Sequence, residues 1–298
     1  MRQSIIRGWQ LFSQGSLRNS FRLRNTRSLT VLATVAFLVG TVIAWQSSEL
    51  RLEDIAWNPL AIAAVIGVPM MTLTNALEIR TSGALCRAPI SLRDSIRTAI
   101  LASAANLLPM PGGIFVRVHA LRARGGSLKQ AGLSSLGLGG IWLGLSMTAA
   151  TVSAVQILGR PLAIGSLVIA VAAVIGGVTI LRRLNGSSPK LIAVALGIEI
   201  LAVIVAAGRF VLSSAVTGFG LDVRQALVLG VAPVLASLVG ILPAGLGLRE
   251  LIGAGLGPLV GLTASVSFMI IATDRIIGML VHGLLALGLV TSRSDATP

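Results

Sequence analysis

Apolar residues in this chain come in long, nearly unbroken runs. They do not alternate every two residues, or recur every three or four, as half-buried elements require. The longest runs lie at 29–45, 59–77, 162–181 and 263–290. Crossing the hydrocarbon core of a bilayer takes roughly 20 predominantly apolar residues, so these runs read as membrane helices. Shorter apolar stretches between them are set off by caps and breakers. Ser91 with Asp94 forms a capping-box pattern, and so do Ser127 with Gln130 and Asp222 with Gln225. Two segments fit no straight helix: Leu108-Pro109-Met110-Pro111-Gly112-Gly113 and Leu242-Pro243-Ala244-Gly245-Leu246-Gly247.

Composition strengthens the membrane reading. Of 298 residues 54% are hydrophobic and 11% charged, with a mean hydropathy of +0.91. A soluble domain carries about 25% charged residues, because its surface must meet water. The net charge of +14 would suggest nucleic acid in a soluble protein, but basic residues that flank membrane helices set orientation instead. Tyrosine is absent and aromatics make up 4%, which leaves no stacking platform for bases, so no nucleic-acid partner is expected. The lone Cys86 excludes an intrachain disulfide and a cysteine metal cluster.

Charge then assigns sides. Residues 1–28 hold Arg2, Arg7, Arg18, Arg22, Arg24 and Arg27 and no acid, which places them in the cytoplasm. Ile5, Ile6, Trp9 and Phe12 fall near one helical face, as in a helix lying on the membrane surface. A signal peptide and a transit peptide are the alternatives for this segment; the long basic region and the lack of a small-residue cleavage site speak against the first. Spans are expected at 29–46, 59–77, 130–157, 162–181, 190–216 and 263–290. The stretch 91–124 has basic residues at both ends and a breaker in the middle, so it reads as a re-entrant hairpin, and 224–262 repeats the plan.

Residues 29–157 and 158–292 thus form two membrane repeats of inverted orientation, each with two spans, a broken hairpin and one span. Such repeats place a substrate site near the midplane. The other reading makes both breaks kinks in ordinary spans, giving eight helices. Of the 24 Lys and Arg, Arg51, Arg160 and Arg224 fall outside and Arg209, Arg249 and Arg275 in membrane segments; the rest are cytoplasmic. This is a multi-pass pattern for the cell inner membrane, with both termini cytoplasmic. The sequence carries no signal for oligomeric state.

Ionisable residues in the apolar zone are the candidates for chemistry: Arg117, Glu199, Arg209, Arg249, Glu250, Asp274 and Arg275. Each costs about 2.5–3.5 kcal/mol at a helix centre on insertion scales. Counted as four cations and three anions, they leave one positive charge for an anionic headgroup, which arginine grips through paired donors. The plain alternative is that they pair with one another and hold helices together. Arg209, near a helix end, can also snorkel outward. Asn106 stands one turn before the first break, with a side chain able to bond freed backbone groups. His119 and His282 read as packing residues. No nucleophile elbow, phosphate loop or metal-ligand spacing occurs, so neither an enzyme, a metal nor a cofactor is expected.

Two segments carry a family likeness. Asn106-Leu107-Leu108-Pro109, followed by Gly113, Arg117 and Leu121-Arg122-Ala123-Arg124-Gly125, resembles the first signature of the lysylphosphatidylglycerol synthase transmembrane family. Leu242-Pro243-Ala244-Gly245-Leu246-Gly247-Leu248-Arg249-Glu250 resembles the second. The likeness extends over 29–290. Ile114 stands where that family usually has Glu, and the second segment is shorter between Pro243 and Gly247. The resemblance implies an all-α flippase-like protein that moves a membrane lipid made by a separate enzyme. It implies substrate contacts from Asn106, Pro109, Gly113 and Arg117 at one break, and from Pro243, Gly247, Arg249 and Glu250 at the other. Glu199, Asp274 and Arg275 complete the candidate set. The rival class is a non-transporting partner of a lipid-modifying enzyme.

Overall fold

The computed structural model describes residues 35, 37–47, 52–106, 112–239 and 247–294. The basic segment 1–28 and the breaker residues Pro109 and Pro243 lie outside the described residues. Among the described residues all regular structure is helical, with no strand. The helices are α1 (Phe37–Ser47), α2 (Trp57–Leu85), α3 (Leu92–Ala105), α4 (Gly112–Arg122), α5 (Leu128–Arg182) and α6 (Pro189–Val216). They continue with α7 (Val223–Leu229), α8 (Val231–Val239), α9 (Leu248–Leu256) and α10 (Ala264–Ser294).

Four of these, α2, α5, α6 and α10, are long and apolar enough to cross a membrane. Their outward faces agree with their composition. Val65 and Ile66 of α2, Val168 and Ile175 of α5, Ile204 of α6 and Leu284 and Leu287 of α10 are each more than half exposed. A belt of large apolar side chains of that extent is foreign to a water-facing surface.

The caps form where the sequence places them. Ser127 Oγ accepts from the Gln130 N–H at 3.1 Å, and Gln130 Oε1 accepts from the Ser127 N–H at 3.2 Å. Asp222 and Gln225 form the same reciprocal pair at 2.7 and 3.0 Å. At Ser91 only one arm forms: its Oγ accepts from the Asp94 N–H. The Asp94 carboxylate accepts instead from the Ser91 hydroxyl at 2.9 Å and from Arg124 at 2.6 Å, so the first turn of α3 meets the residues that follow α4. The second breaker segment is closed in a comparable way, by Gln225 Nε2 donating to the Val260 carbonyl at 3.0 Å.

One element differs from expectation. α2 does not stop at residue 77; it runs on to Leu85 and carries Glu78 and Arg80 with it. Nothing between 77 and 85 ends a helix except Gly83, which helices tolerate. The backbone turns only at Arg87, with φ 53°, ahead of Pro89. The spans at 130–157 and 162–181 are the two arms of α5, which reverses at Gly159 (φ 71°, ψ 158°), one residue before Arg160-Pro161. Those angles are open to glycine at no steric cost. The arms then lie antiparallel. The Thr151 and Ser166 hydroxyls bond at 2.6 Å, Gly144 leaves no room for a side chain against Ala170 and Val174, and Gly140 lies tight against Ala173 and Gly177. Small residues let helix backbones approach this closely.

Candidate functional site

Every ionisable residue singled out in the apolar zone falls into one of two groups, and each group rests partly on α6. The first is built around Arg117. This arginine projects from α4 and binds Glu78 of α2, Nη1 to Oε1, at 2.9 Å. Both side chains keep some exposure, 30% and 21%. Glu199 of α6 lies within electrostatic reach of both. It is buried, with 4% of its surface exposed, and its Oε1 has no hydrogen-bond partner.

The second group surrounds Asp274 of α10. Asp274 Oδ2 accepts from Arg249 of α9 at 2.6 Å, and its Oδ1 faces Arg209 of α6 at 2.8 Å. Arg209 also donates to the Asp274 main-chain carbonyl at 3.3 Å. Arg209 therefore turns inward, where the sequence allowed it to snorkel out. Its stem passes Gly67, at the end of a π-helical turn in α2 formed by Ala63–Gly67. Next to Asp274, Arg275 Nε faces Glu250 Oε1 at 3.2 Å, and Glu250 has no exposed surface. Two rings flank the cluster. The Arg249 guanidinium stands 5.5 Å from the centre of Phe210, and that of Arg275 stands 5.9 Å from Phe37. These are cation–π distances. The Nε of Arg249 is buried and has no partner.

Glu78 is the residue sequence reasoning missed. It lies one residue beyond the apolar run that ends at Leu77, while helix-stop signals appear only near Arg87 and Pro89. Its inclusion changes the charge count. Arg117, Arg209, Arg249 and Arg275 face Glu78, Glu199, Glu250 and Asp274, so the set is balanced. The imbalance is local: one formal negative charge in excess around Arg117, and one positive around Asp274.

The remaining candidates have structural roles. Asn106 caps α3, and its Oδ1 accepts from the Gly113 N–H at 2.9 Å, which ties together the helix ends on either side of 107–111. A side chain at Gly113 would strike Asn106. Gly247 begins α9 with φ 76°, a backbone angle that favours glycine. His282 is buried. It bonds the Gly278 carbonyl through Nδ1 at 2.7 Å and Thr72 through Nε2 at 3.0 Å, a packing role between α10 and α2. His119 is exposed on α4.

The fold thus defines a class: an all-helical chain with four helices long and apolar enough to cross a membrane, and with two charge clusters between its helices. Compared with models of known protein families and with curated proteins, the chain finds no match.

Proposed function

We propose that this protein moves an anionic or zwitterionic lipid, such as a phospholipid, an aminoacyl-phospholipid or a polyprenyl phosphate, between the leaflets of a bilayer. The observation that carries this reading is the cluster at Asp274, where three arginines meet two acids and a buried donor, Arg249 Nε, is unused. A lipid phosphate must cross hydrocarbon, where an unpaired charge is very costly. A site with one cation in excess accepts one monoanion and becomes neutral, while the acyl chains stay in the surrounding lipid.

The reading includes six spans and two re-entrant hairpins in an inverted repeat, with both termini in the cytoplasm. Three features support it. The ends of each breaker segment are joined, by Asp94–Arg124 in one and by Gln225–Val260 in the other. The first helix of the first segment packs against the long helix that closes the second half, α3 on α10, and α7 packs on α5, whose two arms belong to different halves. The second helix of each segment packs on the closing helix of its own half, α4 on α5 and α9 on α10.

The test is transfer of a labelled anionic lipid or polyprenyl phosphate between leaflets of vesicles holding the purified protein. Wild type is expected to accelerate transfer, and Arg249→Ala to abolish it while remaining folded. Background rates from folded wild type across a panel of such lipids would favour the second reading, a membrane partner of a lipid-modifying enzyme. The pairing of each membrane arginine with an acid favours that second reading, because a scaffold needs only that charges pair. Topology has its own test. Single cysteines replacing Arg87 and Arg124, in a Cys86-free background, are expected to label from the same face; labelling from opposite faces would discard the hairpin.

A further inference from the structure

The Arg117 group differs from the Asp274 group in a way that points to a second ligand. It has two carboxyls for one guanidinium, and the carboxyl without a partner is the buried one. An ionised carboxylate in such a place costs far more than a carboxylic acid does. Neutrality needs one further cation. Glu199 is 4% exposed, so a proton, which needs no space of its own, is the cation that fits this burial with least displacement. The route to it is Glu78, which is 21% exposed.

Among the described residues, the charges that act on Glu199 are Glu78 and Arg117. α2 also carries the exposed Arg80, α4 the exposed His119 and Arg122, α3 carries Arg93, Asp94 and Arg97 in its first two turns, and Lys190 stands at the start of α6. The charges of α5 and α7, Lys129, Arg160, Arg182 and Arg224, stand at helix ends or at the reversal. Arg209, Asp274 and Arg275 belong to the other group. Arg209 lies ten residues from Glu199 along α6, roughly 15 Å at the rise of an α-helix.

We infer that Glu199 and Glu78 form a proton site coupled to Arg117, holding one proton at rest and taking up a second when a phosphodiester anion displaces Glu78 from Arg117. This rests on the lipid-transport reading and adds its coupling ion. The balance is simple. At rest the site contains Arg117⁺, Glu78⁻ and one protonated carboxyl. With the anion on Arg117 it contains an arginine–phosphodiester pair and two protonated carboxyls. One proton therefore enters with each monoanion and leaves with it, and the exchange moves no net charge. The Asp274 group takes its anion without a proton, having a cation to spare.

Two measurements on the purified full-length chain test this. The first is infrared absorption without ligand. A protonated-carboxyl band that shifts in D2O is expected in wild type and absent from Glu199→Gln; a wild type lacking it would overturn the resting proton. The second is calorimetric titration in buffers of different ionisation enthalpy, with dihexanoyl-phosphatidylglycerol in one arm and dimethyl phosphate, a phosphodiester without acyl chains, in the other. About one proton taken up per protein molecule at saturation is expected in wild type, from the Arg117 group alone, and none in the double variant Glu78→Gln/Glu199→Gln. Uptake with both anions assigns the site to free phosphodiesters generally; uptake with the lipid alone assigns it to a lipid headgroup. Binding with no proton uptake overturns the coupling and leaves lipid transport standing. Failure of both anions to bind, together with background lipid transfer, removes the transport reading, and the resting band is then judged alone.

Discussion

The two charge clusters of this protein use the same residue types to opposite ends. Around Asp274 the arginines share their acid, the rings of Phe210 and Phe37 cover them, and the side chains are 0–19% exposed. Around Arg117 the ion pair remains partly accessible, and the buried Glu199 has an unsatisfied oxygen with no ion-pair partner, whereas Glu250 Oε1 of the other cluster, also without a hydrogen bond, faces Arg275 at 3.2 Å. Burial strengthens attraction within a pair but raises the cost of any charge left over. The closed cluster can therefore fasten helices, while the open one can change partners. What differs is the placement of a single surplus charge, positive in one group and negative in the other.

The comparison is easiest to break at Asp274. Asp274→Asn strands Arg209 and Arg249 together, and removing one side of a buried pair costs about 3–5 kcal/mol. A large fall in melting temperature in detergent is expected. Melting with wild type would mean that the closed cluster fastens nothing. Arg249→Ala is milder, because Arg209 still neutralises Asp274. A stability loss under about 2 kcal/mol is expected, the range for a hydrogen bond to a charged group, alongside the loss of lipid transfer. Failure of this variant to accumulate would assign Arg249 to structure.

The open cluster should give the smallest numbers. A double-mutant cycle on Glu78→Gln and Arg117→Gln, followed by melting, is expected to yield a coupling of about 0.2–1 kcal/mol, as for solvent-accessible pairs. A value above 2 would place this pair with the closed cluster. Glu199→Gln, which removes the charge of a carboxyl that has no partner for its Oε1, is expected to leave the melting temperature unchanged or slightly raised.

Much of this was legible in the sequence because a charge inside an apolar run stands out. Arg117, Glu199, Arg209, Arg249, Glu250, Asp274 and Arg275 are all visible that way, as are the caps at Ser127 and Asp222. Glu78 was not, since the end of an apolar run is a poor measure of where a helix ends. The pairings were also beyond reach. Glu78 and Arg117 are 39 residues apart, and Arg209 and Asp274 are 65 apart, so their meeting depends on how α2, α4, α6 and α10 pack. Arg209 was misjudged for a related reason: nearness to a helix end matters less than a neighbouring carboxylate on the inner side. The reversal at Gly159 was legible as the gap between the spans expected at 130–157 and 162–181, where Arg160 falls outside.

The bond from the Gly113 N–H to Asn106 bears on how the molecule can move. It pins the last turn of α3 to the first turn of α4, and the tight fit of Gly112 against Ala105 blocks sliding between them. With Asp94 and Arg124 joined at the opposite end, the two helices are fastened at both ends like the sides of a closed frame. Two helices fastened in this way are expected to tilt together. Rotation of this frame about α2 would carry Arg117 past Glu78 along an arc, so that tilting the lever and exchanging the ion-pair partner would be a single motion.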